Sequence, residues 1–159
     1  MNPNQSWLAA CQLADLNPSA PARSWLTERG SLTARLRRHW PDLAVELQGE
    51  AQQRPWPCEL DRLGLATDSL AWVRSVTLHQ AGQALVQARS VIPAWSQTNP
   101  WQEIERLGCR PLGELLFQQT DLERSDFEFA RTPSGWARRC VFRRQGAPLL
   151  VAEDFLAGL

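Results

Sequence analysis

The sequence contains no lysine and no tyrosine, so all 17 basic side chains counted as Lys or Arg are arginines. Without a lysine amine, the chain has no side chain that could form a Schiff base or carry pyridoxal phosphate. The 17 basic residues are balanced by 17 acidic residues, which gives a formal net charge of zero. Because the charges balance, the sequence does not predict a basic surface for nucleic acid or for an anionic membrane, and neither partner is expected.

Metal ligands and long apolar runs are also scarce. The four cysteines are isolated, no two form a Cys-x-x-Cys pair, and only two histidines accompany them, so no metal site is expected. No apolar run approaches the ~18 residues of a membrane span, and the first residues lack the basic and apolar regions of a signal peptide. The sequence leaves a disulfide pair open, but free thiols in a reducing cytoplasm are the expectation.

The residues that are present predict one folded domain over residues 1–159. The chain is 43% hydrophobic and includes eight tryptophans, which is enough apolar surface for a proper core. Nothing in the sequence indicates an oligomer interface, so a monomer is expected.

Two segments predict pairs of short helices joined by tight turns. In the first, 24-SWLTERG-30 ends at a glycine, and Ser31 is a good N-cap for 31-SLTARLRRHWP-41. In the second, 99-NPWQEIERLGCRPLGELLFQ-118, a capping asparagine and a proline begin one helix, Gly108 ends it, and Pro111 begins the next. Each segment is therefore predicted to form a helix–turn–helix unit.

Two other segments alternate with period two and predict β-hairpins. The first runs from about residue 70 to 93 with a turn at 80–83, and the second covers 136–156 with a turn at Gln145-Gly146. A shift of 64 residues superimposes four positions of the two hairpins: Trp72 on Trp136, Arg74 on Arg138, Gly82 on Gly146, and Arg89 on Glu153. A two-fold repeat of helix pair plus hairpin and a chance match between ordinary hairpins both remain open.

The remaining segments complete an α+β pattern. A strand is predicted at 43–47, a long polar loop at 48–64, and an alternating segment at 124–131 with Phe127 and Phe129 on one face. Together these elements predict a mostly antiparallel sheet of about six strands with helices packed on it.

Two charged residues lie on otherwise apolar strand faces. Glu153 shares its face with Leu149, Val151 and Phe155, and Arg74 lies between Trp72 and Val76. A buried charge is costly unless it is paired or hydrogen-bonded. Either the two residues pair with each other or bulge to the surface as structural features, or they line a polar cavity that binds a small anion. The neighbour Asp154 has the opposite parity and is expected to be dispensable.

The clustered arginines have a simpler interpretation. The run 35-RLRRH-39 lies on a short helix after a turn, but the neutral chain favours a solvated helix face over a DNA-recognition helix. The pairs 138-RR-139 and 143-RR-144 are interpreted as solvated charges at a sheet edge. No catalytic triad spacing and no glycine-rich phosphate loop is present.

Several motifs together resemble the chorismate pyruvate-lyase family. They are 107-LGCRPLGELLF-117, 126-DFEFAR-131 and 136-WARRCVFRRQGAPLLVAEDFL-156, with weaker similarity at 31-SLTARL-36, 72-WVRSVTL-78 and 89-RSVIP-93. The resemblance covers about Ser24 to Leu156. The sequence departs from the family pattern at Leu32, where methionine is familiar, and after Leu156, where a proline commonly follows.

The resemblance implies a fold and a set of site residues. The family fold is a compact α+β domain whose internal pocket lies behind two helix-turn-helix flaps. By position, the implied ligand residues are Arg74, Glu153, Leu112 and Leu32, the last two acting through their backbone N–H groups. Arg89 corresponds to a further family arginine near the flaps that influences ligand affinity, and it is expected to help receive the enolpyruvyl carboxylate.

The resemblance also implies an activity. A chorismate pyruvate-lyase converts chorismate to 4-hydroxybenzoate and pyruvate, the first committed step of ubiquinone biosynthesis. Aromatisation drives the reaction, so no cofactor is implied, and a sealed pocket predicts slow product release and product inhibition. The alternative is a non-catalytic domain of the same fold class that senses a small aromatic acid. A purely structural domain, with Arg74 and Glu153 as a buried ion pair, is the third possibility.

Overall fold

A computed structural model describes residues 1–118 and 121–156 of the chain. The predicted domain end at residue 159 and the departure from the family pattern after Leu156 fall outside the described residues. In chain order, the elements are β1 (Leu8–Ala9), a 3₁₀ helix (Ala10–Leu16), α1 (Ala20–Leu26), α2 (Leu32–His39), β2 (Ala44–Gln53), α3 (Pro57–Leu63), β3 (Ala71–Gln80), β4 (Gln83–Pro93), a second 3₁₀ helix (Gln102–Arg106), α4 (Leu112–Leu116), β5 (Glu123–Arg124), β6 (Glu128–Thr132), β7 (Gly135–Arg144) and β8 (Ala147–Phe155).

All strands belong to one antiparallel sheet, which confirms the predicted α+β class. The strand order is β1-β6-β7-β8-β4-β3-β2, and the two-residue strand β5 pairs with β7 beside β6. Over the described residues, the sheet therefore has eight strands rather than about six. The strands β1 and β5 are only two residues long, so no alternation could reveal them.

The predicted loop at 48–64 is wrong at both ends. Residues 48–53 extend β2, which in the described residues pairs with β3 alone and bulges between Leu47 and Gly49. Because β2 is an edge strand and mostly exposed, its polar residues carry no alternation. The second half contains α3, where Pro57 occupies the first turn and the carboxylate of Glu59 accepts from the backbone N–H of Trp56 at 2.8 Å.

The two predicted hairpins and their turns are confirmed. Ala81 and Gly82 have φ values of 49° and 80°, and Gln145 and Gly146 have 51° and 79°. Two consecutive residues with positive φ are the signature of a type I′ turn, whose twist matches that of the flanking strands.

A β-bulge at Leu85 separates the registers of the two hairpins. Across β3 and β4, His79 pairs with Ala84 but Leu78 pairs with Val86, so Leu85 is an extra residue; no such shift interrupts the pairing of β7 with β8. One extra residue turns every later side chain to the other face of the sheet. Arg89 therefore faces away from Glu153, although the two occupy equivalent positions in the 64-residue match.

The helix pairs are shorter than the sequence suggests. The helix α1 ends at Leu26 rather than at Gly30, and the first helix of the second pair is the 3₁₀ helix Gln102–Arg106. The N-cap of α2 is confirmed, since the hydroxyl of Ser31 accepts from the N–H of Ala34 at 3.2 Å. We call residues 20–39 the first flap and residues 102–116 the second flap.

The flaps cover one face of the sheet, and α3 lies on the other. The main core lies under the flaps, where Leu26, Leu36, Trp101 and Ile104 are almost completely buried. The flaps also meet each other, since Arg37 in α2 and Glu114 in α4 form an ion pair at 2.8 Å. In the described residues, no helix has the length and apolar character to cross a membrane.

Candidate active site

A cavity lies between the sheet and the two flaps. Its volume is about 60 Å³, counted as the space that the centre of a water molecule can reach. That is room for a few waters or a small ring. Its walls are mainly apolar, and both flaps contribute residues to it. Four of the five site residues expected from the sequence line this cavity: Leu32, Arg74, Leu112 and Glu153.

Arg74 extends from β3 under the second flap. Its Nη2 donates to the carbonyl oxygens of Gly108 at 2.7 Å and Arg110 at 3.2 Å, while its Nε is buried and has no hydrogen-bond partner among the described residues. The carboxylate of Glu50 lies 3.9 Å from Nε, and the side chain of Arg74 is only 1% exposed. Burial lowers the pKa of the guanidinium, and Glu50 opposes that shift. A guanidinium with an unused donor in a cavity is suited to binding a carboxylate.

Glu153 points into the same cavity from β8. Its Oε2 accepts from the Nε of Arg138 at 2.6 Å. Of the alternatives for these two residues, the one in which Arg74 and Glu153 pair with each other is wrong, because Glu153 pairs with Arg138 and the carboxylate nearest to Arg74 is that of Glu50. In the described part of the chain, Arg138 donates to Oε2, and Oε1 accepts no hydrogen bond.

Arg138 is a site residue that the sequence interpretation missed. Its Nη1 donates to three carbonyl oxygens of the first flap: those of Trp25 at 3.3 Å, Leu26 at 3.2 Å and Glu28 at 2.7 Å. It therefore ties the carboxylate of Glu153 to the first flap. The 64-residue shift from Arg74 was the signal that could have identified it.

The expectation that 138-RR-139 forms solvated edge charge is wrong. The strand β7 lies inside the sheet, and Arg138 and Arg139 are 3% and 7% exposed. Arg139 faces away from the cavity, where it pairs with Glu128 at 2.5 Å and donates to the carbonyl of Cys58 at 2.8 Å. Asp154 also lies on that face, fully buried, where Thr132 donates to it at 2.8 Å, so it is not a spare surface residue.

Leu32 and Leu112 occupy equivalent places in the two flaps. Each is the first residue of its helix, directly after Ser31 or Pro111. The first N–H groups of a helix have no acceptor within that helix, so their backbones could donate to a ligand. The structure brings both residues to the cavity wall.

Arg89 does not join this group. It lies on the opposite face of the sheet, where its Nε and Nη2 donate to the carboxylate of Glu59 at 2.6 and 3.1 Å. Its guanidinium also lies over the ring of Trp56, 3.9 Å from the centroid. All of these partners belong to the α3 side, so we do not include Arg89 among the proposed ligand contacts.

Two further cavity residues were not expected from the sequence. Arg124, on β5, lines the cavity and donates from Nη1 to the carbonyl of Arg29 at 2.6 Å. Cys140, on β7, is buried beside Glu153, and burial and the nearby carboxylate raise the pKa of its thiol to about 12. Within the described ranges, no three His, Cys, Asp or Glu side chains are grouped in a way that could hold a metal ion.

Comparison with known proteins agrees with these features. The family described as chorismate lyase matches residues 1–159. A probable chorismate pyruvate-lyase of Thiobacillus denitrificans is 41% identical, with 86% of this chain and 83% of the relative covered. That of Hydrogenovibrio crunogenus is 33% identical over 94% and 89%, and the chorismate pyruvate-lyase of Sodalis glossinidius is 36% identical over 87% and 79%. The chain belongs to the chorismate lyase family.

Proposed function

We propose that this protein is a chorismate pyruvate-lyase, which converts chorismate to 4-hydroxybenzoate and pyruvate. The observation that carries the proposal is the partly enclosed cavity, in which a buried arginine and a carboxylate on one face of the sheet lie beneath the two flaps. Such a sparse polar set suits a reaction whose driving force is aromatisation, because the protein then supplies mainly orientation and electrostatic stabilisation.

The ring is proposed to lie between Arg74 and Glu153. Arg74 binds the ring carboxylate through its guanidinium, assisted by the backbone N–H groups of Leu32 and Leu112. The hydroxyl on ring carbon 4, opposite that carboxylate, donates to Glu153, which Arg138 holds in position. Glu153 then lies beside the hydrogen on carbon 4 and accepts it as a proton in the reaction.

The reaction breaks one C–O bond and one C–H bond of the ring. The bond between ring carbon 3 and the ether oxygen breaks, and its electron pair leaves with the enolpyruvyl group. The proton on carbon 4 departs, and the electron pair of that bond completes the aromatic ring. The hydroxyl on carbon 4 remains as the phenol, and the released enolpyruvate gains a proton at its methylene carbon to become pyruvate.

Enclosure by the flaps has a kinetic consequence. Substrate and product must pass between elements joined by ion pairs and carbonyl contacts, so opening of a flap is a candidate for the slowest step. This supports the expected product inhibition by 4-hydroxybenzoate. We further propose a cytoplasmic monomer that feeds ubiquinone synthesis; all four thiols being unpaired agrees with a reducing compartment.

The activity is tested by mixing the purified protein with chorismate in the presence of EDTA. The expected result is the absorbance of 4-hydroxybenzoate and an equal amount of pyruvate. Absence of turnover at micromolar protein would sink the lyase proposal. Tight binding of 4-hydroxybenzoate without turnover would instead favour the sensing domain.

The role of Glu153 is tested by Glu153→Gln, which keeps the shape of the side chain but removes the base. Turnover is expected to fall by roughly a hundredfold or more, the typical contribution of a positioned acid–base group. Glu46→Gln is the matched control, because Glu46 is exposed on β2 and has no ion pair in the described part of the chain. Near-normal turnover in Glu153→Gln, with Glu46→Gln unchanged, would contradict the assignment.

A further inference from the structure

Arg124 lines the cavity, but neither the ring carboxylate nor the ring hydroxyl is proposed to contact it. It is half-buried, and its Nη1 is engaged by the carbonyl of Arg29 at 2.6 Å. In the described ranges, no carboxylate lies within 4.0 Å of its guanidinium, and burial lowers its pKa. Even a half-buried guanidinium loses part of its hydration, and a carboxylate supplied by a ligand would offset that cost.

The other two cavity arginines differ from Arg124 in this respect. Arg138 has the carboxylate of Glu153 at 2.6 Å, and Arg74 has that of Glu50 at 3.9 Å. Among the arginines that line the described cavity, Arg124 therefore stands alone in having no carboxylate within 4.0 Å. It is the natural place for a second anionic group of the ligand.

The sheet places Arg124 on the far side of Glu153 from Arg74. The relevant strand order is β5, β7, β8, β4 and β3, with Arg124 on the first, Glu153 in the middle and Arg74 on the last. Strands are spaced by about 4.8 Å, so each arginine lies two strands, about 10 Å across the sheet, from Glu153. Along the strands, Arg124 is level with Leu149 and Arg74 with Val151, about 13 Å and about 7 Å from Glu153 in the same direction. Long side chains that reach inward from both flanks can hold two ends of one small molecule.

We infer that Arg124 binds the carboxylate of the enolpyruvyl group of the substrate. This inference rests on the proposed function, in which Arg74 binds the ring carboxylate and Glu153 the hydroxyl on ring carbon 4. The enolpyruvyl ether is attached to the neighbouring ring carbon, so its carboxylate lies beyond the Glu153 end of the ring. Arg124 then orients the leaving group and stabilises the negative charge that develops on it as the ether bond breaks.

This assignment replaces the role expected for Arg89. The bulge at Leu85 turns Arg89 to the α3 face, where Glu59 satisfies its guanidinium. Arg124 supplies a guanidinium on the correct face instead.

The product distinguishes Arg124 from Arg74, because 4-hydroxybenzoate retains the ring carboxylate but lacks the enolpyruvyl carboxylate. Arg124→Gln is expected to lower kcat/KM for chorismate by roughly tenfold to a hundredfold, the effect of one charged hydrogen bond, while the Kd for 4-hydroxybenzoate changes by less than about threefold. Arg74→Gln is expected to weaken both. Product binding is followed by tryptophan fluorescence or calorimetry.

Two controls separate ligand binding from loosening of the flap. Arg124→Lys keeps the charge but loses the planar fork, so it should recover part of the lost kcat/KM. Arg35→Gln removes contacts with Ser24 and Glu28 that also hold the first flap, but Arg35 does not line the cavity. It should affect chorismate and 4-hydroxybenzoate to the same small extent.

The inference is overturned if Arg124→Gln leaves kcat/KM unchanged, or if it weakens 4-hydroxybenzoate as much as chorismate. If Arg124→Gln does not fold, Arg124→Lys decides by the same comparison of the two ligands. If the wild-type protein binds chorismate without turnover, the proposed function fails separately, and the Kd for chorismate then replaces kcat/KM in the same test.

Discussion

Glu153 illustrates how a charged residue can occupy an apolar face of a strand. It points the same way as Leu149, Val151 and Phe155, and it is tolerated there because the guanidinium of Arg138 lies 2.6 Å away. Pairing offsets much of the cost of burial, but it adds little stability beyond that. A carboxylate that is kept in such a place without a stability advantage points to a ligand, which supports its proposed role.

The thiol of Cys140 provides a residue-scale prediction about access to the cavity. With a pKa of about 12, only about one thiol in ten thousand is ionised at pH 8, so reaction with a disulfide reagent should be slow. In a variant with Cys11, Cys58 and Cys109 changed to serine, labelling of Cys140 should be slow and should slow further when 4-hydroxybenzoate fills the cavity. Mass spectrometry over time measures this rate.

The exposed thiol of Cys109 is the matched control for that experiment. A variant in which Cys109 is the remaining cysteine should be labelled quickly, with or without 4-hydroxybenzoate. Equal labelling rates for Cys140 and Cys109 would contradict both the burial of Cys140 and its place on the cavity wall.

The alternation of strand residues with period two predicts only part of the site. It correctly placed Glu153 and Arg74 on apolar faces, because face alternation follows from the strand backbone alone. It could not show which carboxylate partners which arginine. Arg138 was misinterpreted because its burial depends on β7 lying inside the sheet, and that position is set by pairing with β6 and β8 rather than by local sequence.

At the scale of elements, the bulge at Leu85 has the largest effect on function. Both hairpins have the same two-residue turn and equal spacing in sequence, which is why Arg89 and Glu153 matched. One unpaired residue reverses the face of Arg89 and leaves Glu153 where it was expected. No residue type at 84–86 signals a bulge, so this difference could not be predicted from the sequence.

The first flap gives a prediction at the element scale, through Glu28 in its turn. One carboxylate oxygen accepts from the N–H of Gly30 at 2.7 Å, and the other lies 3.3 Å from Arg35. These contacts, the backbone N–H first, lower the pKa of Glu28 below its ordinary value of 4.5. The ionised form therefore stabilises the folded state above about pH 4.5, and this contribution is lost as the pH falls through the lowered pKa.

Glu28→Gln should consequently have a lower Tm than the wild type at pH 7, and the difference should shrink as the pH falls below 4.5. Thermal melts by circular dichroism across this range measure the effect. Glu46→Gln, an exposed change outside the flaps, should show no such pH-dependent difference. A difference in Tm between Glu28→Gln and the wild type that stays constant with pH would mean that the charge of Glu28 does not stabilise the turn.

Across the whole molecule, Arg74 and Arg138, which a shift of 64 residues superimposes, each contact a different flap. Arg74 donates to carbonyls of the second flap at Gly108 and Arg110, and Arg138 donates to carbonyls of the first flap at Leu26 and Glu28. The sequence match identified this pair, although not its contacts. Because the side chains that face the ligand also hold the flaps, filling the cavity and closing it are expected to be coupled.

This coupling predicts a large effect of the product on global stability. A ligand at about 100 times its Kd adds about 2.7 kcal/mol to the free energy of unfolding if it binds only the folded state. For a chain of this size, that corresponds to a rise in Tm of roughly 5 to 11 °C, which differential scanning fluorimetry can follow. Benzoate, which lacks the hydroxyl proposed to bind Glu153, should produce a smaller rise at the same concentration. Arg74→Gln should lose most of the rise and Arg124→Gln should retain it. An unchanged Tm in the wild-type protein would favour a purely structural cluster of charges over a ligand site.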